Sequence, residues 1–195
     1  MGGPLHLTRR FFGSLRPAPP TLADLAWVRD SLVDHELSIW EQMSKADQRH
    51  SIDVARLVEA EVTTRDSGTV KAQAPWTPLD GWFDSAPQRR QLMVAAALLH
   101  DSGKNRSQLG TFSRVLATVL RPLAPSASIP RWAEGEGIGH RLAQYWRHPE
   151  IGSNALREGG SHRLVTAWAA EHHKPEEAWT VPIELGRILR DCDDD

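Results

Sequence analysis

Cysteine is nearly absent from this chain: Cys192 is the only one among 195 residues, which excludes an internal disulfide and a cysteine-built zinc site. Any metal must then be held by histidine and carboxylate side chains, and the composition suits a reducing compartment. A dominant charge is missing as well. Lys and Arg number 23 against 25 Asp and Glu, a formal net charge of -2. The two signs are interspersed, so there is no clear signal for nucleic acid or an anionic membrane. Long apolar runs are lacking: the longest, Leu92 to Leu99, falls far short of the roughly 18 residues that read as a membrane span. Near the N-terminus, Arg9-Arg10-Phe11-Phe12 is followed at once by Gly13 and Arg16, which argues against a signal peptide. These absences predict a soluble, cytoplasmic protein without a membrane partner.

Strand signals are also scarce. There is no sustained apolar alternation, no hairpin dipeptide between apolar runs and no internal repeat, so the expected fold class is all-α. The length favours one domain: residues 1–20, rich in Gly, Pro and Arg, form an N-terminal arm, and 21–195 form a single helical bundle. Thr21 is a plausible N-cap for a helix carrying Leu22, Leu25, Val28 and Leu32, and a second helix spans about Glu36 to Met43. A third opens near Asp47, with His50 in its first turn, and closes at the polar segment Thr63 to Gly68. Residues 64–86 read as a structured connector whose Trp76, Trp82 and Phe83 cover the core. The apolar helix 88–101 is central. A helix of about Ser107 to Leu120 precedes the breaking segment Pro122 to Pro130, and helices follow near 131–146, 149–158, 161–173 and 182–192.

Against this background, nine His and eight Trp are abundant, and their positions carry the chemistry. The central helix ends in His100-Asp101-Ser102-Gly103-Lys104, so two side chains able to bind a metal leave a buried helix where Gly103 can terminate it. Asp101 could bridge two ions. A His-Asp pair alone is a weak signal, but similar placements recur. Pro149 at the first helical position would put His148 at an N-cap, free to coordinate. His172 and His173 close another apolar helix before Lys174-Pro175 stops it. Neighbouring helical residues diverge by roughly 100°, so this pair suits two metals, or a metal and a phosphate, better than one ion. The last helix delivers Asp191, Asp193, Asp194 and Asp195, acidic groups that are unfavourable at a helix C-terminus unless a cation compensates them.

In order, His50, His100-Asp101, His148, His172-His173 and Asp193, with the contexts LLHDSGK at 98–104, HPEIG at 148–152 and EHHKP at 171–175, resemble the HD superfamily of metal-dependent phosphohydrolases over roughly residues 47–195. Two of these contexts also resemble the HD-GYP branch. The Gly-Tyr-Pro signature of that branch is replaced by Glu176-Glu177-Ala178-Trp179, and Ala46 stands where the branch has a metal-bridging glutamate, which argues against a cyclic dinucleotide substrate. The resemblance implies an HD-type helical bundle with metal ligands at helix ends. His50, His100, Asp101 and Asp193 (chosen over Asp191) would be the core ligands, and His148, His172 and His173 would complete a second site. It implies two divalent cations, with Mn, Fe, Co, Ni and Mg all compatible with the donor set. The expected reaction is hydrolysis of a small phosphorylated substrate, a phosphate ester or anhydride such as a nucleotide or phosphodiester, by a metal-activated hydroxide. Asp101 and Lys104 are the expected catalytic residues. Lys104 would hold a phosphate oxygen, and Arg106, Arg147 and Lys174 would widen the anion site. His140 and His162 read as ordinary surface or helix-start residues. Two further expectations compete: a di-iron oxygenase of the same superfamily, and a metal- or nucleotide-binding sensor without turnover. Nothing in the sequence specifies the oligomeric state.

Overall fold

Short polar side chains start the helices that carry the core. The structure, a computed structural model, describes residues 18–68, 81–107 and 129–194. Those residues form nine α-helices and no strand: α1 (Leu22–Ser31), α2 (Asp34–Glu41), α3 (Lys45–Asp66), α4 (Ala86–Leu99), α5 (Ile129–Glu134), α6 (Gly137–Trp146), α7 (His148–Glu158), α8 (Arg163–Glu171) and α9 (Ile183–Asp194). Single 3-10 turns lie at Ser102–Ser107 and Glu176–Ala178. The all-α expectation is borne out, and no helix among the described residues is long and apolar enough to cross a membrane.

Thr21 caps α1 as expected, in a reciprocal box with Asp24 that satisfies two otherwise orphaned donors. Ser44 caps α3 by accepting from the Asp47 amide. The helix therefore begins ahead of Asp47, and His50 lies in its second turn rather than its first. Ser85 does the same for α4 through the Gln88 amide.

From Met93 to Leu99 every residue of α4 is buried, because a helix that is apolar all round can satisfy itself only when surrounded. It is packed by α1, α2, α3, α8 and α9. Trp40, Ile52, Leu98, Leu164, Trp168 and Leu185 are among the side chains that form the core with it, each buried aliphatic contributing about 1.5–3 kcal/mol. Trp82 and Phe83 pack against this core, as expected of the connector's aromatics. A second layer stands at the C-terminal end of α4, where α6 and α7 both pack on the 3-10 turn after it, and α7 packs on α8.

Several boundaries differ from expectation. The element near 131–146 is two helices, α5 and α6, separated where Gly137 adopts φ +77, a left-handed conformation that only glycine takes readily. His148 is the first residue of α7, not its cap, which is Arg147; Pro149 in the first turn costs no hydrogen bond there. The last helix runs to Asp194, two residues past the expected end at 192, so Asp193 lies in its final turn. The arm up to residue 17, Trp76 and nearly all of the expected 107–120 helix lie outside the described residues.

Candidate metal centre

The centre assembles where α4 ends. His100 is the C-cap of α4 and Asp101 follows it, both buried, so the most rigid helix of the fold fixes their backbones. From one side α3 contributes His50 and α9 contributes Asp193, because α9 packs on α3 and α4. From the other side come His148 at the start of α7 and His172-His173 at the end of α8.

The donor atoms fall into two groups, one of Asp101, His148, His172 and His173 and one of His50, His100 and Asp193, and within each they lie no more than 4.8 Å apart. All seven side chains expected to bind metal are thus brought together. Asp101 sits between the groups. Its Oδ1 is 3.4 Å from Nε2 of both His148 and His172, and its Oδ2 is 3.4 Å from Nε2 of His100. Asp193 Oδ1 is 2.9 Å from His50 Nε2 and 3.8 Å from His100 Nε2. Asp191, two residues earlier, is instead exposed beside Arg190, which places Asp193 rather than Asp191 in the cluster.

His172 and His173 do not diverge as a continuous helix would require. His172 is the α8 C-cap and His173 has already left the helix. Their ring centroids lie 4.0 Å apart, and both face Asp101.

Backbone carbonyls orient three of the rings. Nδ1 of His100, His148 and His172 lies 2.8, 2.7 and 3.1 Å from the carbonyl oxygens of Ala97, Tyr145 and Ala169. A carbonyl can only accept, so each Nδ1 carries a proton, and in the neutral form of each ring it is the Nε2 lone pair that faces the centre. The same three-residue reach-back repeats at each helix end, so helix geometry itself sets the tautomer.

The electrostatics leave acceptors facing acceptors. Asp101 Oδ1, His148 Nε2 and His172 Nε2 are buried without a hydrogen-bond partner. Buried polar atoms are ordinarily paired, and a lone pair set against a carboxylate oxygen is repulsive unless a cation or proton lies between them. Burial of the Asp101 carboxyl opposes its charge, but Lys104 and His100 outweigh this and hold it well below the usual range. Burial likewise opposes charge on His100, yet the carboxylates of Asp101 and Asp193 raise its pKa to about 9. Burial lowers the pKa of His172. His173, though one edge is exposed, is lowered by partial burial and then by the His172 and His148 rings, which keeps it neutral and able to coordinate. These donors, imidazoles around central carboxylates, fit one or two divalent cations, which would take the place of the extra proton on His100.

A pocket of about 360 Å³ opens onto the centre, with Lys104, Lys174 and Arg190 on its walls. Lys104 Nζ contacts Asp101 Oδ2 directly, so it serves the carboxylate as well as the pocket. Lys174 lies where expected. Arg147 instead lines a neighbouring groove and is bonded twice to Glu150. The Arg106 side chain lies outside the described residues. His140 bonds the Ala133 carbonyl and His162 caps α8, in keeping with ordinary roles.

Two residues were missed from sequence. Arg190 stands three positions before Asp193, on the same helix face, which is signal enough to have named it. Glu171 is buried and accepts from Thr180 N, Thr180 Oγ1 and Val181 N at 2.7, 2.7 and 3.2 Å, holding in place the loop that follows the paired histidines. A glutamate at the C-terminal end of an apolar helix opposes the helix dipole and for that reason could have been flagged.

Compared with protein-family models, curated proteins and solved structures, the chain matches none.

Proposed function

We propose that this protein is a metal-dependent phosphohydrolase of the HD type, acting on a phosphate ester or anhydride. One observation carries the reading: the unpartnered, buried apposition of Asp101 Oδ1 with His148 Nε2 and His172 Nε2, in a chain that also brings His50, His100, His173 and Asp193 to the same place. His50, His100, Asp193 and Asp101 Oδ2 would hold one cation, and Asp101 Oδ1, His148, His172 and His173 the other. A bound pair supplies an activated water nucleophile and neutralises charge developing on phosphorus.

The chain's own residues do the rest. Asp101 ties the two ligand groups together, and its rigid placement at the end of α4 sets their separation. The Ala97, Tyr145 and Ala169 carbonyls keep the imidazoles in the tautomer that coordinates. Lys104, Lys174 and Arg190 line one pocket; the lysines supply point-charge donors to phosphate oxygens, and Arg190, already paired with Glu176 at 2.7 Å, adds positive charge to the wall. The acidic ligands lie beneath this basic rim, an arrangement that draws a phosphate toward the ions and away from the carboxylates.

The test is elemental analysis of protein purified without chelator, joined to turnover of bis(p-nitrophenyl) phosphate and a nucleotide panel with added Mn, comparing wild type with Asp101→Ala. About two metals per chain, with phosphate release lost by more than about 100-fold in the variant, is the expected result. Iron with oxygen uptake and no hydrolysis would replace this reading with an oxygenase. Ligand binding without turnover under any metal would replace it with a sensor.

A further inference from the structure

Beside the metal pocket lies an open groove of about 390 Å³, within the size of small-molecule sites. The two cavities share His173 and Lys174, so the groove is continuous with the place where a phosphate would react. Its wall is Trp146, held beside Trp132 with ring centroids 6.1 Å apart, and its lining includes Pro149 and Ala170.

Charge in the groove is unevenly offset. Arg147 is neutralised by its two hydrogen bonds to Glu150. Arg157, near the far end of α7, is held only by neutral partners, Asn154 Oδ1 at 2.9 Å and Ser153 Oγ at 3.3 Å. Among the described residues no carboxylate pairs with Arg157 or with Lys174. Accepting from Arg157 commits the Asn154 carbonyl oxygen and leaves its amide hydrogens as donors. The groove therefore offers an aromatic wall, an uncompensated guanidinium, amide donors and a lysine on the shared rim.

We propose that this groove seats the part of the substrate beyond the reacting phosphate, and that this part is a planar aromatic ring linked to a second anionic group. Trp146 stacks the ring, Arg157 takes the second charge, and Asn154 donates to the ring's edge. The inference rests on the phosphohydrolase reading and makes it specific. It disfavours small aliphatic phosphomonoesters, which would leave Trp146 and Arg157 unused.

The experiment is calorimetric binding of adenosine 5′-methylenediphosphate and of methylenediphosphonate, both of which carry a second anionic group and resist hydrolysis, to the Mn-loaded protein, in wild type, Trp146→Ala, Arg157→Gln and Asn154→Asp. Wild type should prefer the ring-bearing ligand. Trp146→Ala should reduce that preference by about 10- to 100-fold, the range a base-aromatic stack supplies. Asn154→Asp, an exposed change that sets a carboxylate against Arg157, should weaken binding of both anions, as should Arg157→Gln. If Trp146→Ala fails to fold, these two surface variants carry the test. Equal affinity for the two ligands in wild type, a preference unmoved by Trp146→Ala, or affinities unmoved by Arg157→Gln and Asn154→Asp, would overturn the inference. The readout is binding, so it stands apart from turnover: metal-dependent hydrolysis lost in Asp101→Ala alongside an indifferent groove would sink the inference and leave the phosphohydrolase reading intact.

Discussion

Gly103 and Gly152 pack backbone against backbone. A Cβ on Gly103 would meet the His148 carbonyl oxygen at 2.1 Å and Gly152 N at 2.7 Å, and one on Gly152 would meet Gly103 N at 2.9 Å. This contact draws α7 onto the turn after Asp101 and so sets how far His148 stands from the carboxylate. Gly152→Ala should push the two elements apart, destabilising the fold by about 1–3 kcal/mol as overpacking does and weakening metal binding in the His148 group. Denaturant melts together with metal titration of the same variant check it. Unchanged stability and metal content would show that the turn and α7 give way freely.

The two ligand groups should empty separately. His172→Ala should lower metal content by about one ion per chain, His50→Ala should remove the other, and Asp101→Ala should reduce both, because only Asp101 faces each group. Elemental analysis of the three variants reads this directly. Loss of all metal in His50→Ala with full retention in His172→Ala would argue for a single site.

Metal removal should destabilise the fold. An ion held by side chains from α3, α7, α8 and α9 binds only the folded state, and at 100-fold excess over its dissociation constant it adds about 2.7 kcal/mol. Thermal melts with chelator and then with Mn restored should show a drop and a recovery, and coincident curves would count against a bound ion.

Acid should remove the contribution of the α1 cap. The Thr21 backbone N–H, together with the Thr21 hydroxyl and Arg49 and against the opposing effect of burial, holds the Asp24 carboxyl down from 3.8 to about 2. A carboxyl depressed in the folded state stabilises it above the unfolded value, and that stabilisation is lost as pH falls from about 4 toward about 2. The stability difference between wild type and Asp24→Asn should therefore be full at pH 6 and shrink through that window. A difference that stays constant down to pH 2.5 would contradict it.

Leu98→Ala tests the helix that carries the centre. Leu98 is fully buried, and its truncation should cost about 2–5 kcal/mol in a urea melt. A cost below about 1 kcal/mol would mean the core collapses around the gap.

Much of this was legible in the amino-acid order, for identifiable reasons. A helix as apolar as Leu92–Leu99 has only one stable environment, so its central place follows from composition. The cap at Thr21 follows from a side chain that reaches a nearby amide. Five of the candidate ligands, His100, Asp101, His148, His172 and His173, were legible because each stands beside a helix-boundary signal, Gly103, Pro149 or Lys174-Pro175, and helix ends are where side chains escape the helix surface. The single helix expected near 131–146 failed at Gly137, because a left-handed residue breaks a helix without disturbing its apolar spacing.

What the sequence determined by itself, then, is the helical class and the donor types, because local periodicity, capping and the lack of cysteine are properties of short stretches of chain; the seven side chains that gather were named together by the resemblance. Only the tertiary structure decided how they divide. The packing of α9 on α3, and of α7 and α8 around the turn after α4, sets Asp101 between two groups, turns His172 and His173 toward the same carboxylate and opens the groove at Trp146. Those are distances between residues far apart in sequence, and only the burial of helix faces against one another fixes them.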